Sequence, residues 1–260
     1  EYAVGLWSSN RASAISTYGQ INTWCTGNIT DMSYLFKDET TFNDDISNWD
    51  VSNVTNMSGM FYNAPLFNQP LNSWDVSSVL NMDSMFGFAY AFNQNLNSWD
   101  VSSVTNMRYM FLFTTPFNGN ISSWDVSSVT NMRQMFSGLS AFNQNIGAWD
   151  VSSVTDMGSM FAFGATSFNQ NLSSWDVSSV TIISGMFDGA TSFNNGGATG
   201  IGAWDVSSVT SMVIMFRGAT IFNQNLTGWC VTTFTTEPSG FSTSSALTTA
   251  NKPAWGTCPP

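Results

Sequence analysis

The sequence predicts a repeat solenoid of stacked parallel coils, and three observations carry that expectation. Tryptophan recurs at Trp24, Trp49, Trp74, Trp99, Trp124, Trp149, Trp175, Trp204 and Trp229, at intervals of 25 residues that lengthen to 26 and 29 where residues are inserted. Around it stands the unit L-x-x-W-D-V-S-S-V-x-x-M-x-x-M-F, restarted by Leu71, Leu96, Ile121, Ile146, Leu172, Ile201 and Leu226. The chain is also 43% hydrophobic, with 21 Phe, 14 Met and 11 Trp. A unit this short cannot bury its own apolar side chains, so neighbouring copies must stack and share one core.

Residues 1–23 contain Trp7 and Tyr18 without repeat register, as expected of an N-terminal cap over the open end of the core. Residues 24–230 form the solenoid of about eight to nine turns. Within each turn the W-x-V step has the period of two of a short strand, with Trp and Val inward and Asp outward. The remaining apolar residues fall three apart, which suits tight turns, 3₁₀ or a single helical turn, with Thr55, Thr105, Thr130 and Thr155 as N-caps. At roughly 4.8 Å per turn the stack is about 40 Å long. Gly196, Gly197 and Gly200 lie in an insertion before Trp204 that is expected to bulge as a loop from one edge. Residues 231–260, rich in Thr, Ser and Pro, read as a C-terminal cap.

The three cysteines are Cys25, Cys230 and Cys258. A Cys230–Cys258 bridge would close a loop of about 29 residues, stabilise by roughly 3 kcal/mol, and imply an oxidising compartment. Three reduced thiols in a cytosolic protein is the alternative. Cys25 is left over in either case.

Charged residues make up 9% of the chain, against about 25% in an average soluble protein, and the net charge is -11. The six basic residues stand singly in the sequence, which excludes nucleic acid and anionic membranes as partners. No apolar run approaches the roughly 20 residues needed to insert into a bilayer. Histidine is absent, so Ser-His-Asp and Cys-His catalysis and most transition-metal sites are excluded. The carboxylates are periodic rather than a unique pair in a cleft, which argues against glycoside hydrolysis. No enzymatic activity and no cofactor are expected.

One column of carboxylates is regular: Asp50, Asp75, Asp100, Asp125, Asp150, Asp176 and Asp205. Stacked about 5 Å apart they repel unless something satisfies them. In the structural reading each Asp accepts backbone N–H bonds from the V-S-S turn that follows. In the functional reading neighbouring carboxylates share Ca²⁺ or meet a basic partner. The first is favoured, because Cys25 and Cys230 replace Asp at the ends of the array without disturbing the motif. The Asn column at F-N-Q, from Asn43 to Asn223, reads as amides bonding turn backbone from coil to coil.

The repeated W-D-V-S-S-V-T-N-M-x-x-M-F pattern resembles leucine-rich-repeat surface proteins of the BspA type, in the variant found in mycoplasma and marine bacterial surface proteins. The likeness covers about residues 20–230. It implies a parallel-strand, leucine-rich-repeat-like coil with one short strand per repeat, display outside the cell or on its surface, and adhesion or binding of a protein or glycan on a cell or matrix surface. Positions between the two methionines vary most from turn to turn, so Arg108, Tyr109, Arg133, Gln134, Val213 and Ile214 are the candidate recognition residues. The competing expectation is self-association into a surface fibre or layer.

Overall fold

The polar and apolar residues of one unit alternate so that a single coil encloses one apolar strip. In the unit that begins at Leu96, the buried residues are Leu96, Trp99, Val101, Val104, Met107, Met110, Phe111 and Phe117. Asp100, Thr105 and Arg108 between them are exposed. The computed structural model describes residues 2–259; Glu1 and Pro260, the outer limits of the two expected caps, lie outside the described residues. No helix among those residues is long and apolar enough to cross a membrane.

Eight coils follow one another through the parallel bridge residues Asp31, Asn56, Asn81, Asn106, Asn131, Asp156, Ile182 and Ser211. The coils therefore pair at V-T-N-M and not at W-D-V, and each pairing is one residue long, so no extended strand forms among the described residues. This corrects the expected W-x-V strand. The reason lies in the indole: Trp99 Nε1 reaches back and donates to the Leu71 carbonyl at 2.8 Å, and Trp74, Trp124 and Trp229 do the same to Ile46, Leu96 and Ile201. A buried N–H needs a partner, and this one ties the W-D-V corner to the previous coil in place of a backbone ladder.

The M-x-x-M-F segment is not helical. Its amides alternate between two tasks. Met110, Leu112 and Thr114 N–H close turns onto the Met107, Tyr109 and Phe111 carbonyls, whereas Met107, Tyr109, Phe111 and Phe113 N–H donate to Asn131, Arg133, Met135 and Ser137 of the next coil at 2.8–3.1 Å. Left-handed backbone at Tyr109 (φ 59°) and Phe113 (φ 54°) permits this alternation, and the same positions are left-handed along the stack. The expected Thr caps are also corrected. Thr130 donates through both its N–H and its hydroxyl to the Thr105 carbonyl, and the turn is capped instead by Asn131, whose Oδ1 accepts from Arg133 N–H. Inside, rings stack continuously: Phe111 lies 4.0 Å from Phe117 within its coil and 5.6 Å from Phe86 in the coil before.

Two short helices, α1 (Tyr2–Ser9) and α2 (Arg11–Tyr18), cover the Trp side of the first coil. Trp7 meets Trp24 edge-on at 5.7 Å, and its indole together with Arg11 is held by Asp44. At the other end Ile214, Phe216 and Gly218 N–H donate to Ser239, Phe241 and Thr243, so the C-terminal segment completes the last coil's hydrogen bonds. Cys230 and Cys258 form a disulfide across that segment, and Cys25 is free and exposed. The insertion does not hang free. It folds into the 3₁₀ turns Asn195–Gly197 and Gly200–Ala203, pinned by buried Asn195, which accepts from Leu172 N–H and donates to Ser173 Oγ and the Ala198 carbonyl.

Candidate binding face

The outward columns divide into those the fold uses and those it leaves free. In the Asp column, Asp100 Oδ1 accepts from the Ser102 hydroxyl at 2.6 Å and from its N–H at 3.1 Å, and Asp50, Asp75, Asp125 and Asp150 repeat the pair. Asp176 and Asp205 keep the backbone bond. The serine hydroxyl, then the serine N–H, hold the carboxyls of Asp50, Asp75, Asp100 and Asp125 below the usual range, and Ser178 and Ser207 do the same for Asp176 and Asp205. Slight burial opposes this, as does the charge of the preceding Asp at Asp75, Asp100, Asp125 and Asp205. The column is thus a row of Asx turns, and among the described residues no group of three or more His, Cys, Asp or Glu comes together to hold a metal ion. The Asn column is likewise internal: Asn93 N–H and Gln94 Nε2 both bond Asn68 of the previous coil.

The free columns lie on the M-x-x-M-F arc. Arg108 and Tyr109 occupy the two positions between the methionines of one coil, and Arg133 and Gln134 occupy the same positions in the next. Twenty-five residues apart in sequence, the pairs stand about 4.8 Å apart along the stack. Val213 and Ile214 sit three coils beyond Arg133, roughly 14 Å away, and do not join them. Ile214 packs instead: half-buried with φ 52°, it leaves no room for a side chain on Gly240 of the C-terminal segment.

Charge on this arc is uneven. Five of the six basic residues have a carboxylate within 4.0 Å: Arg11 with Asp44, Lys37 with Asp38, Arg133 with Asp156, Arg217 with Asp188, and Lys252 with Glu237. Arg108 has none at that distance among the described residues, though Asp83, at the same position one coil earlier, and Asp156 act on it from farther away. Its guanidinium lies 4.4 Å over the Tyr109 ring and donates to the phenol oxygen at 3.1 Å. Burial would raise the Tyr109 phenol, but hydrogen bonds and positive charge from Arg108 and Arg133 outweigh it and lower it. Gly158 makes room for Arg133, since a Cβ there would stand 2.9 Å from Nη1.

Sequence reasoning missed the aromatic flank of these residues. Phe88 meets Tyr62 edge-on at 5.4 Å and stacks with Phe113 at 5.5 Å, with Tyr90 beside it. The signal was the glycines: Gly138 follows Phe113 one coil later in the same left-handed column, and the Phe113 ring lies where its side chain would be. A separate cavity of about 220 Å³ lies between α1 and the first coil, lined by Val4, Trp24, Ile29, Met32, Leu35 and Trp49 among others. There the Asp31, Ser33, Leu35 and Lys37 carbonyls have no donor among the described residues.

A family model described as Mycoplasma protein of unknown function, DUF285, matches residues 8–122, 112–199 and 197–257. The chain belongs to the DUF285 family. No curated protein and no solved structure matches it. The three DUF285 matches together run from α1 into the C-terminal segment, so the arc that bears Arg108 and Arg133 lies wholly within DUF285 repeats. Chemically, this arc of the DUF285 stack offers side chains alone: the backbone amides beneath are already spent between coils.

Proposed function

We propose that this DUF285 chain is a non-catalytic binding module displayed outside the cell, holding a protein or glycan ligand on the variable arc of its solenoid. One observation carries the reading. Variation between coils is concentrated where side chains are not needed by the fold, whereas the Asp, Asn, Trp and Met-Phe columns are nearly constant and bonded or buried within the stack. A rigid support with a changeable outer row is the arrangement a recognition surface requires. The likeness to BspA-type leucine-rich-repeat surface proteins supports the extracellular setting, and so does the Cys230–Cys258 disulfide. The test is a glycan and protein array probed with the chain and with two variants. Replacing Arg108, Tyr109, Arg133 and Gln134 by Ser is expected to abolish capture, and replacing Ser103 and Ser128 by Ala on the constant face is expected to leave it intact. Capture that tracks the serine face, or none of any kind, overturns the reading.

The self-assembly reading has one observation in its favour, the unpaired carbonyls at the first coil. Axial growth needs N–H donors from the far end of a second copy, and those donors are taken by Ser239, Phe241 and Thr243. Light scattering at rising concentration is therefore expected to give a monomer, and a growing particle would restore the fibre.

A further inference from the structure

Arg108 makes no ion pair within 4.0 Å among the described residues, although Asp83, at the same position one coil earlier, and Asp156 act on its charge from farther away. With 17 carboxylates against six basic side chains, the other five cations each have a carboxylate within 4.0 Å. Arg108 instead stacks on Tyr109 and lies one coil from a second guanidinium, Arg133. Two like charges side by side repel, and an anion bonded directly to both relieves this more than the longer-range carboxylates of Asp83 and Asp156 do. The phenol orients the Arg108 plane through both the ring contact and a hydrogen bond, which leaves its remaining N–H groups free. A planar, pre-oriented guanidinium is the group best suited to grip an oxyanion in two bonds.

From this we propose that Arg108, Tyr109 and Arg133 form an anion-binding site for an acidic polysaccharide, one bearing carboxylate or sulfate groups along its chain. The proposal rests on the binding-face reading above and names its ligand class. An extended peptide gains most of its hold by pairing with free backbone groups at a sheet edge. On this arc those groups are consumed: Ser84, Phe86, Tyr109 and Phe111 N–H all donate to the coil that follows. Recognition must come from side chains. A sugar polymer brings its own hydroxyls for neutral partners such as Gln134, and the apolar C–H faces of its rings for the aromatic flank at Phe88 and Phe113. The surface is open and runs along the stack, as an extended polymer needs.

The restraints on the site are Asp156, which stands 3.8 Å from Arg133, and Asp83, at the position of Arg108 one coil earlier, and both compete with an anionic ligand. Asp156 occupies a bridge position filled by Asn in the four coils before it, so Asp156→Asn keeps the Oδ1 that caps Gly158 N–H while removing the competing charge.

Calorimetry of the whole chain at pH 7 with polygalacturonate, dextran sulfate, neutral dextran and poly-glutamate tests this. Binding is expected for the carboxylated or the sulfated polymer and not for neutral dextran, with the preferred one of the two naming the oxyanion. Arg108→Gln should weaken it at least about tenfold, Asp156→Asn should tighten it several-fold, and Arg11→Gln in the N-terminal cap should leave it unchanged. Poly-glutamate bound as tightly as either polysaccharide overturns the ligand class. Equal binding of neutral dextran, or binding indifferent to Arg108→Gln and Asp156→Asn, overturns the site. If no acidic polymer binds while the array finds another ligand lost with the arc, the site fails and the binding-face reading survives. If nothing binds in either experiment, both fail.

Discussion

Gly138 and Phe113 occupy the same left-handed column in adjacent coils, and together they show what that column demands. At Gly138 φ is 79°, and the Phe113 ring covers the space a Cβ would take. Alanine there meets backbone strain and a ring at once, so Gly138→Ala is expected to destabilise by about 1–3 kcal/mol, read as a lower urea midpoint with unchanged slope. Gly5 has no atom near its open side and an ordinary backbone angle, so Gly5→Ala, inside α1, should be neutral or mildly stabilising. This column was not legible in the sequence, because Phe88, Phe113 and Phe163 fill it as well as glycine does, and phenylalanine does not ordinarily favour positive φ. Forward bonds between coils hold them there. The inward residues were legible, since a side chain buried in every coil must recur at every period, as Trp99, Val101, Met107 and Phe111 do.

Elements were legible in proportion to how far they rely on backbone periodicity. The W-D-V step has the alternation of a strand, yet the Trp indole makes the bond to the neighbouring coil that a strand would make, and periodicity carries no trace of which group does so. The partial cluster of recognition residues has a similar origin. Arg108 and Arg133 stand singly in the chain but adjacent in space, because one period of sequence is one step along the stack. The C-terminal segment makes a separate prediction. Its Ser239, Phe241 and Thr243 carbonyls close the last coil, while Phe241 packs edge-on to Trp255 at 5.1 Å and to Phe216 at 5.4 Å. Cys230→Ser with Cys258→Ser should lower stability by about 2–4 kcal/mol. Hydrogen exchange should accelerate first at Ile214, Phe216 and Gly218 amides, which the segment protects, and last at Tyr109 and Phe111. Uniform acceleration along the chain would mean that the segment is not a separable cap.

For the molecule as a whole, two properties follow from repetition. The first is acid sensitivity. The Asp carboxyls held low by serine bonds have folded pKa values below their unfolded value of about 3.9, so their contribution is complete above that value and is lost as pH falls through the folded ones. With no histidine in the chain, Tm is expected to be flat from about pH 8 to 5 and to fall below about pH 4; a decline beginning near pH 6 would contradict this. The second property is modularity. Deleting residues 96–120 joins Asn95 to Ile121 and restores the unit without a break in register. Met82, Ser84, Phe86 and Phe88 N–H would then face the Asn131, Arg133, Met135 and Ser137 carbonyls that Met107, Tyr109, Phe111 and Phe113 bond now. Phe88 would also lie beside Gly138, as Phe113 does, so the new junction carries no steric conflict. The shortened chain is therefore expected to fold with the same circular dichroism per residue and one cooperative urea transition, its slope reduced by roughly a tenth in step with the surface removed. Deleting residues 96–108 instead shifts every inward position out of phase and should prevent folding. Since the whole-coil deletion takes Arg108 and Tyr109 with it, acidic-polysaccharide binding should vanish from a protein that is otherwise intact. Binding that persists would place the ligand on a column common to all coils.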